Sequence, residues 1–492
     1  MSLSPYASLE AAFTKLYRYQ HLAAIVGWDQ AAMMPPAGNS ARGAALAELA
    51  VLTHQTLTHP QLATWLAQAK KSGEQPSSVR EMERQWQIAN LLPESLVEAK
   101  SLAGSRCEHA WRTQRKANDW RGFLENFREV VKYSRQEAAL LSEASGVSRY
   151  DALIAKYEPG MTSATVAHIF GELKRWLPAL VQEAIEKQRR ETVIAPTGAF
   201  PIEQQRALGL EIMGLLGFDF AGGRLDVSTH PFCGGVPEDV RITTRYREDD
   251  FMQAMMGIVH ETGHARYEQG LPRERVHLPV GQPRSMGVHE SQSLAFEMQL
   301  GRGLPFLTLI APLVRKHFGE QPAFAAANLG KMYTRVKPGF IRVDADELTY
   351  PAHIILRFEI ERALIDGEIE AEDIAQLWDD KMQAYLGLST TGNFANGCMQ
   401  DIHWTDGSFG YFPSYTLGAM YAAQYFATIR RAVPDLDARI VSGDLAAIFT
   451  WLATHIWSQG SEWTTPELIE RATGEPLSAS HFERHLRARY LA

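Results

Sequence analysis

The feature that most constrains this chain is a pair of histidines one helical turn apart. The stretch from Asp249 to Gly270 opens with Asp249-Asp250. These side chains can accept hydrogen bonds from the first free N–H groups of a helix, and their charge suits its positive end. Phe251, Met255 and Ile258 follow at helical spacing, Gly270 is a natural C′ residue, and Pro272 cannot continue the helix. His260 and His264 therefore lie side by side on one face, with Glu261 next to them, in the H-E-x-x-H pattern. Two imidazoles so placed can share one metal ion. A zinc ion with three protein ligands keeps one position for water and lowers its pKa to about 7. A carboxylate beside that water can take its proton during attack on a peptide carbonyl and pass it to the leaving amine. Three fixed letters also recur by chance in roughly one or two chains per hundred of this length, so the rest of the chain must carry the argument.

Two histidines need a third ligand. Ser285 to Glu297 reads as the start of another helix, with Glu290, Leu294 and Glu297 on one face. Glu290 follows His264 by 26 residues, enough to turn and pack a second helix on the first. The spacing ranks Glu290 first, with Glu297 about two turns further along as its rival. Glu268, at i+4 from His264, is expected to make a surface salt bridge. His289 points away from Glu290 on the same helix and suits a supporting role behind the ligands.

Most other segments keep the helical period. Leu46, Leu49, Ala50, Thr53 and Leu57 form one stripe, and Ile169, Leu173, Trp176 and Leu180 another. Breaks at Pro35–Gly38, Glu158–Gly160, Pro196–Gly198 and Gly217 read as loops between helices, and Pro178 predicts a kink or break in its helix. One region differs. Arg224–Ser228 and Val240–Tyr246 are short, alternating and rich in β-branched residues, with the turn-rich Phe232–Pro237 between them. They predict a hairpin or small sheet just before the histidine helix. Its edge could bind an extended peptide by main-chain hydrogen bonds, and the competing reading is a purely structural hairpin.

Composition excludes several classes. The 492 residues are 45% hydrophobic, carry a net charge of −8 and contain no long run of one sign, so neither nucleic acid nor an anionic membrane is expected as a partner. Cys107, Cys233 and Cys398 are few, scattered and free of any C-x-x-C pairing. That fits a reducing cytoplasm and gives no structural zinc site. No signal peptide or membrane-spanning run is evident.

Six ordered motifs then reveal a family resemblance. They are His230-Pro231-Phe232 (HPF), Asp239 to Thr243 (DxRxT), His260 to His264 (HExxH), His289 to Gln292 (HESxQ, in its first four positions), Ile341 to Asp346 (IRxxAD) and Gly397 to Trp404 (GxxQDxHW). Trp28-Asp29-Gln30 with Met34-Pro35 extends the likeness towards the N-terminus. Gln292 directly follows Ser291, a departure in spacing that bears on Gln292 and not on Glu290. The chain resembles the carboxypeptidase Taq family of metallocarboxypeptidases. The resemblance implies a mainly α, neurolysin- and angiotensin-converting-enzyme-like fold with a deep central cleft and a small β-sheet at the active site. Residues 1–492 would form one unit, with the motifs in 230–415, and a homodimer is expected. It implies release of single C-terminal residues from peptides with broad specificity, one zinc ion per chain (cobalt in its place), His260, His264 and Glu290 as ligands, and Glu261 as general base.

An enzyme that cuts only the last residue must recognise a free carboxylate, and the planar fork of arginine suits that. Arg342 is the first candidate, against an internal salt bridge to Asp344 or Asp346. His403 could bond substrate or a developing oxyanion, or be a core histidine, and Gln400 and Asp401 could orient neighbours. Gly410 to Tyr415 reads as an aromatic loop whose Tyr411, freed by Gly410, or Tyr415 could stabilise the charged intermediate. His230 and Arg241 could contact substrate or brace the site, and Cys233 and Cys398 read as packing residues. An endo-oligopeptidase or dipeptidyl carboxypeptidase on the same architecture is the nearest alternative. A helical scaffold with a vestigial site is the alternative from another class.

Overall fold

The computed structural model describes residues 3–492. The N-terminal part is helical: α1 (Pro5–Ala32), α2 (Asn39–Leu57), α3 (Pro60–Ser72), α4 (Pro76–Leu91), α5 (Glu94–Gln114), α6 (Trp120–Ser145), α7 (Arg149–Ile154), α8 (Ser163–Gln188) and α9 (Ile202–Leu215). A small sheet follows, with β1 (Gly223–Val227), β2 (Cys233–Val236) and β3 (Asp239–Thr244). Next come α10 (Phe251–Gly270) and α11 (Met286–Leu294), the latter running into a π-helical segment, Ala295–Gly301. The chain continues through α12 (Leu304–Phe318), α13 (Ala326–Tyr333), α14 (Tyr350–Asp366), α15 (Ile374–Leu386), α16 (Pro413–Ala432) and four shorter helices to Leu491.

The large hydrophobic core draws on α5 to α16 and the four C-terminal helices and buries Phe127, Phe170, Trp378 and Trp457. Two satellites flank it. Leu9, Phe13, Leu16, Leu62, Leu66 and Met82 of the N-terminal helices pack with Leu278 and Val280 from the loop between α10 and α11. Leu225, Val240 and Ile242 of the sheet pack on Ile258 and Ala265 of α10. The second satellite matters for the site, because it fixes the back of the histidine helix against the sheet.

Three local features refine the reading of the sequence. The two strands read from the sequence pair in parallel, Leu225 opposite Ile242, rather than as a hairpin. The hairpin lies between β2 and β3, Cys233 opposite Ile242, and the strand order is β1-β3-β2. The segment read as a turn is thus itself an edge strand. Gly235 permits it: its φ is +88°, and a Cβ there would lie 2.0 Å from the Asp239 carbonyl oxygen. Pro178 does not break α8, which runs through it to Gln188. Leu177, Leu180 and Val181 are buried around it, and that burial outweighs a local cost of about 3 kcal/mol. The Leu46 stripe does form a helix, yet no residue of α2 is buried and Val51 and Leu52 are exposed.

Candidate active site

Asp250 caps α10 by accepting the N–H groups of Met252 and Gln253. Two and a half turns on, the His260 and His264 rings lie 5.1 Å apart. Each imidazole is held from behind through Nδ1. His260 Nδ1 is 2.8 Å from Glu297 Oε2, and Glu297 is itself bonded by Arg302 at 2.6 Å. His264 Nδ1 is 2.7 Å from His289 Nδ1, whose Nε2 meets Glu268 at 2.8 Å. Both Nε2 atoms are thereby left for a ligand. The π-helical turn after α11 brings Glu297 behind the histidines while Glu290, seven residues earlier, faces them.

His260, His264 and Glu290 offer ligand atoms that all lie within 4.8 Å of one another. The separation of His264 Nε2 and Glu290 Oε2 is 3.5 Å. A tetrahedral ion with bonds near 2.1 Å needs ligand atoms about 3.4 Å apart, so the donor set fits such an ion. Glu297, the rival to Glu290, stands behind His260 instead. Glu268 does not make a surface salt bridge: it is largely buried and bonded to His289.

The electrostatics reflect three carboxylates crowded at the two imidazoles. Burial, reinforced by the charges of Glu290 and Glu297, pushes the Glu261 carboxyl up to about 7. Glu290 is also raised, first by burial and then by Glu297. Burial works against the charged form of His260, but its hydrogen bond to Glu297 and the charge of Glu290 outweigh this and raise it to about 10. Burial and the neighbouring His289 and His260 hold His264 well below its ordinary value. Glu297 is brought down to about 2: burial opposes its charge, and Arg302 and His260 more than compensate.

A second cluster forms around Arg342, which is 6% exposed. Its Nε donates to Asp401 Oδ1 at 2.9 Å and its Nη1 to the Tyr350 hydroxyl at 2.8 Å, while its backbone N–H donates to Gln400 Oε1. Arg357, fully buried, donates to the other oxygen of Asp401 at 2.7 Å. The salt bridge weighed for Arg342 thus exists, but with Asp401. Asp346 instead accepts the Leu348 and Thr349 N–H groups at the start of α14. The Arg342 guanidinium stacks on Tyr415 at 4.9 Å and Phe412 at 5.4 Å. His403 Nε2 is 3.2 Å from the Tyr415 hydroxyl and its Nδ1 is buried without a partner. Burial and Arg342 push His403 down to about 4, and burial and Arg357 push His353 down to about 3. Both rings are therefore neutral, and two guanidinium charges meet one carboxylate.

Tyr411 packs edge-on against Tyr415 at 5.3 Å and Tyr157 at 5.0 Å. The expected loop ends at Phe412, so Tyr415 stands on the first turn of α16. Burial raises both phenols, the charge of Glu290 adds to it, and Arg342 favours that charge, so the two clusters act on one another. His230 and Arg241 are drawn into neither cluster. Arg241 forks onto Asp239 at 2.9 and 2.7 Å and stacks on Trp28 at 4.4 Å, which braces α1 on the sheet. His230 is exposed ahead of β2.

Sequence reasoning missed Tyr350 and Arg357, which share a face of α14 at i, i+7, and the clamp of Arg302 on Glu297. It also missed Glu158. This buried carboxylate accepts from Ser285 Oγ at 2.7 Å, from the Gly287 N–H, and from Ser414 Oγ at 3.1 Å, and so ties the start of α11 to the start of α16.

Comparison with known proteins places the whole chain in one family. The family model described as carboxypeptidase Taq (M32) metallopeptidase matches residues 8–490. Thermostable carboxypeptidase 1 of Thermus thermophilus is 37% identical, with 98% of this chain and 99% of the relative covered. Carboxypeptidase 1 of Bacillus subtilis is 33% identical, with 97% and 96% covered. Among solved structures, the metallocarboxypeptidase 1 of Trypanosoma cruzi superposes with a TM-score of 0.98 at 48% identity, and a Pyrococcus furiosus carboxypeptidase with 0.94 at 31%, each over 100% of both chains.

Proposed function

The chain belongs to the carboxypeptidase Taq (M32) metallopeptidase family and is a metal-dependent carboxypeptidase; from that premise we propose that it releases single residues from free peptide C-termini, with residues 1–492 as one unit. The support comes chiefly from the Arg342 cluster. A buried site with two guanidinium groups and one carboxylate is short of one negative charge, and an unbalanced buried charge is costly. The terminal carboxylate of a peptide supplies it, so Arg342 is the anchor and Asp401 and Arg357 hold it in place.

His260, His264 and Glu290 would hold one ion, zinc in this proposal with cobalt in its place. A divalent ion there supplies a Lewis acid towards water and the scissile carbonyl. Glu261 takes the proton from the attacking water and hands it to the departing amine nitrogen. Tyr411, with Tyr415 as second candidate, donates to the carbonyl oxygen as charge builds on it. His403, neutral and bonded to Tyr415, orients that phenol. His230 and Arg241 line and brace the sheet side, where a peptide backbone could lie along β2. A cytoplasmic homodimer acting on peptides completes the reading; no nucleic acid or membrane enters it. No single helix among the described residues is long and apolar enough to cross a membrane.

A defined decapeptide digested by zinc-loaded protein tests this. A ladder of one-residue losses from the C-terminus is expected in the mass spectrum. Internal cuts or two-residue losses would overturn the exopeptidase reading. Protein that carries no transition metal and stays inactive after zinc or cobalt is added would overturn the metal centre.

A further inference from the structure

The third ligand must arrive at a set depth, because a bound ion tolerates ligand distances only within about 0.2 Å. Its helix, α11, lies between α10 and α16, and each neighbour meets it with a glycine. A Cβ at Gly263 on α10 would lie 2.5 Å from the Gln292 carbonyl oxygen and 2.6 Å from Ser293 Cα. A Cβ at Gly418 on α16 would lie 2.9 Å from both Cβ and Cγ of Glu290 and 3.1 Å from the Gly287 carbonyl oxygen. Carbon atoms in ordinary contact sit about 3.5–4.0 Å apart. The atoms in the way are backbone or the root of the ligand side chain, so none can swing aside.

Neither glycine has a positive φ. Conformational freedom therefore does not explain them, although each weakens its helix by about 1 kcal/mol relative to alanine. Gly257, six residues before Gly263 on the same helix, has nothing within 4 Å of a built Cβ. Crowding is thus not common to every glycine of α10, and at Gly263 the atoms met belong to α11. The ends of α11 are pinned independently. Glu158 holds Ser285 and Gly287 at its start, and Trp457 donates to Gln292 Oε1 at 2.8 Å near its end. An added methyl group at Gly418 meets Glu290 itself, and one at Gly263 meets the pinned turn that follows it, so either strains the seat of Glu290.

We propose that Gly263 and Gly418 form a two-sided slot that seats α11 and fixes the depth of Glu290, which makes both glycines positioning residues for the metal centre. The inference rests on the reading of His260, His264 and Glu290 as ligands. Zinc affinity, read by competition with a chromophoric chelator, tests it without recourse to activity. Gly263→Ala and Gly418→Ala are expected to bind zinc about 10- to 100-fold more weakly, with Gly257→Ala within twofold of the parent. Slot variants that fold and bind within twofold of the parent overturn the proposal, as does an equal loss in Gly257→Ala. If Gly418→Ala gives no folded metal-free protein by circular dichroism, Gly418→Ala combined with Glu290→Gly removes the two nearest colliding atoms and is expected to restore folding; failure to do so also overturns it. Glu290→Ala separates the two ideas. Undiminished zinc binding in that variant refutes the ligand assignment itself, whereas a normal loss there beside unchanged slot variants refutes only the slot.

Discussion

Around α10 and α11, four carboxylates (Glu261, Glu268, Glu290 and Glu297) surround three histidines and are bonded by one guanidinium, Arg302. Around Arg342 the balance is reversed: two guanidinium groups share Asp401, and both nearby histidines are held neutral. One half of the site lacks a cation and the other lacks an anion. Glu268, Glu297, Arg342, Arg357 and Asp401 each make side-chain hydrogen bonds, so the imbalance among them is not loose packing. In the proposed reading, this residual charge is what a metal ion on one side and a terminal carboxylate on the other would neutralise.

Removing the proton carrier between the halves has the largest expected effect. Glu261→Gln keeps all three ligands and should retain zinc while kcat falls by about a thousandfold. A zinc-loaded variant turning over near the parent rate would take the base role away from Glu261. The anion side comes next. Arg342→Ala leaves Asp401 paired with Arg357, so the fold should survive, but kcat/KM on free-acid peptides should drop about a hundredfold. Amidated peptides, already poor substrates, should lose far less. Equal losses on both would mean that the positive half does not read the carboxylate.

The smallest effect concerns what stands behind each half. Glu158 lies behind the metal side; Glu361 lies behind the anion side, where it accepts from Tyr150, Trp404 and the Gly410 N–H. Burial pushes each carboxyl up to about 7. In the unfolded chain a glutamate titrates near 4.3, so as pH rises the unfolded state gives up these protons first. Their stabilisation is complete below about pH 4, declines between there and 7, and is gone above it. Each accounts for at most about 4 kcal/mol over that window. Glu361→Gln should make the fall in melting temperature between pH 5 and 7.5 shallower. An unchanged slope would show that Glu361 is ionised in the folded chain.

Much of the metal side was legible because its signal is local. An i, i+4 pair, a cap at Asp250 and a stop at Gly270 are properties of one helix, and they hold wherever that helix is placed. Glu290 was ranked by spacing and then favoured by resemblance, but the task of Glu297 was not legible. The π-helical turn that sets it behind His260 leaves no periodic mark. The anion side was only partly visible. Arg342 could be named from its motif, yet Asp401, Arg357, Tyr350 and Tyr415 come from separate stretches, and charge pairing between distant segments leaves no period to read. The topology of the sheet was left open for a related reason: alternation shows that Leu225 and Ile242 belong to strands, not which way those strands run beside each other.

The sequence by itself determined the helical class, the histidine helix and the chemistry available on it, because backbone capping and side-chain periodicity act within a few residues. Only the tertiary structure decided which carboxylate stands in front of the histidines and which behind, and which acid holds Arg342. Those choices depend on how close one helix can come to another, and that distance is set by glycines and buried hydrogen bonds supplied from opposite ends of the chain.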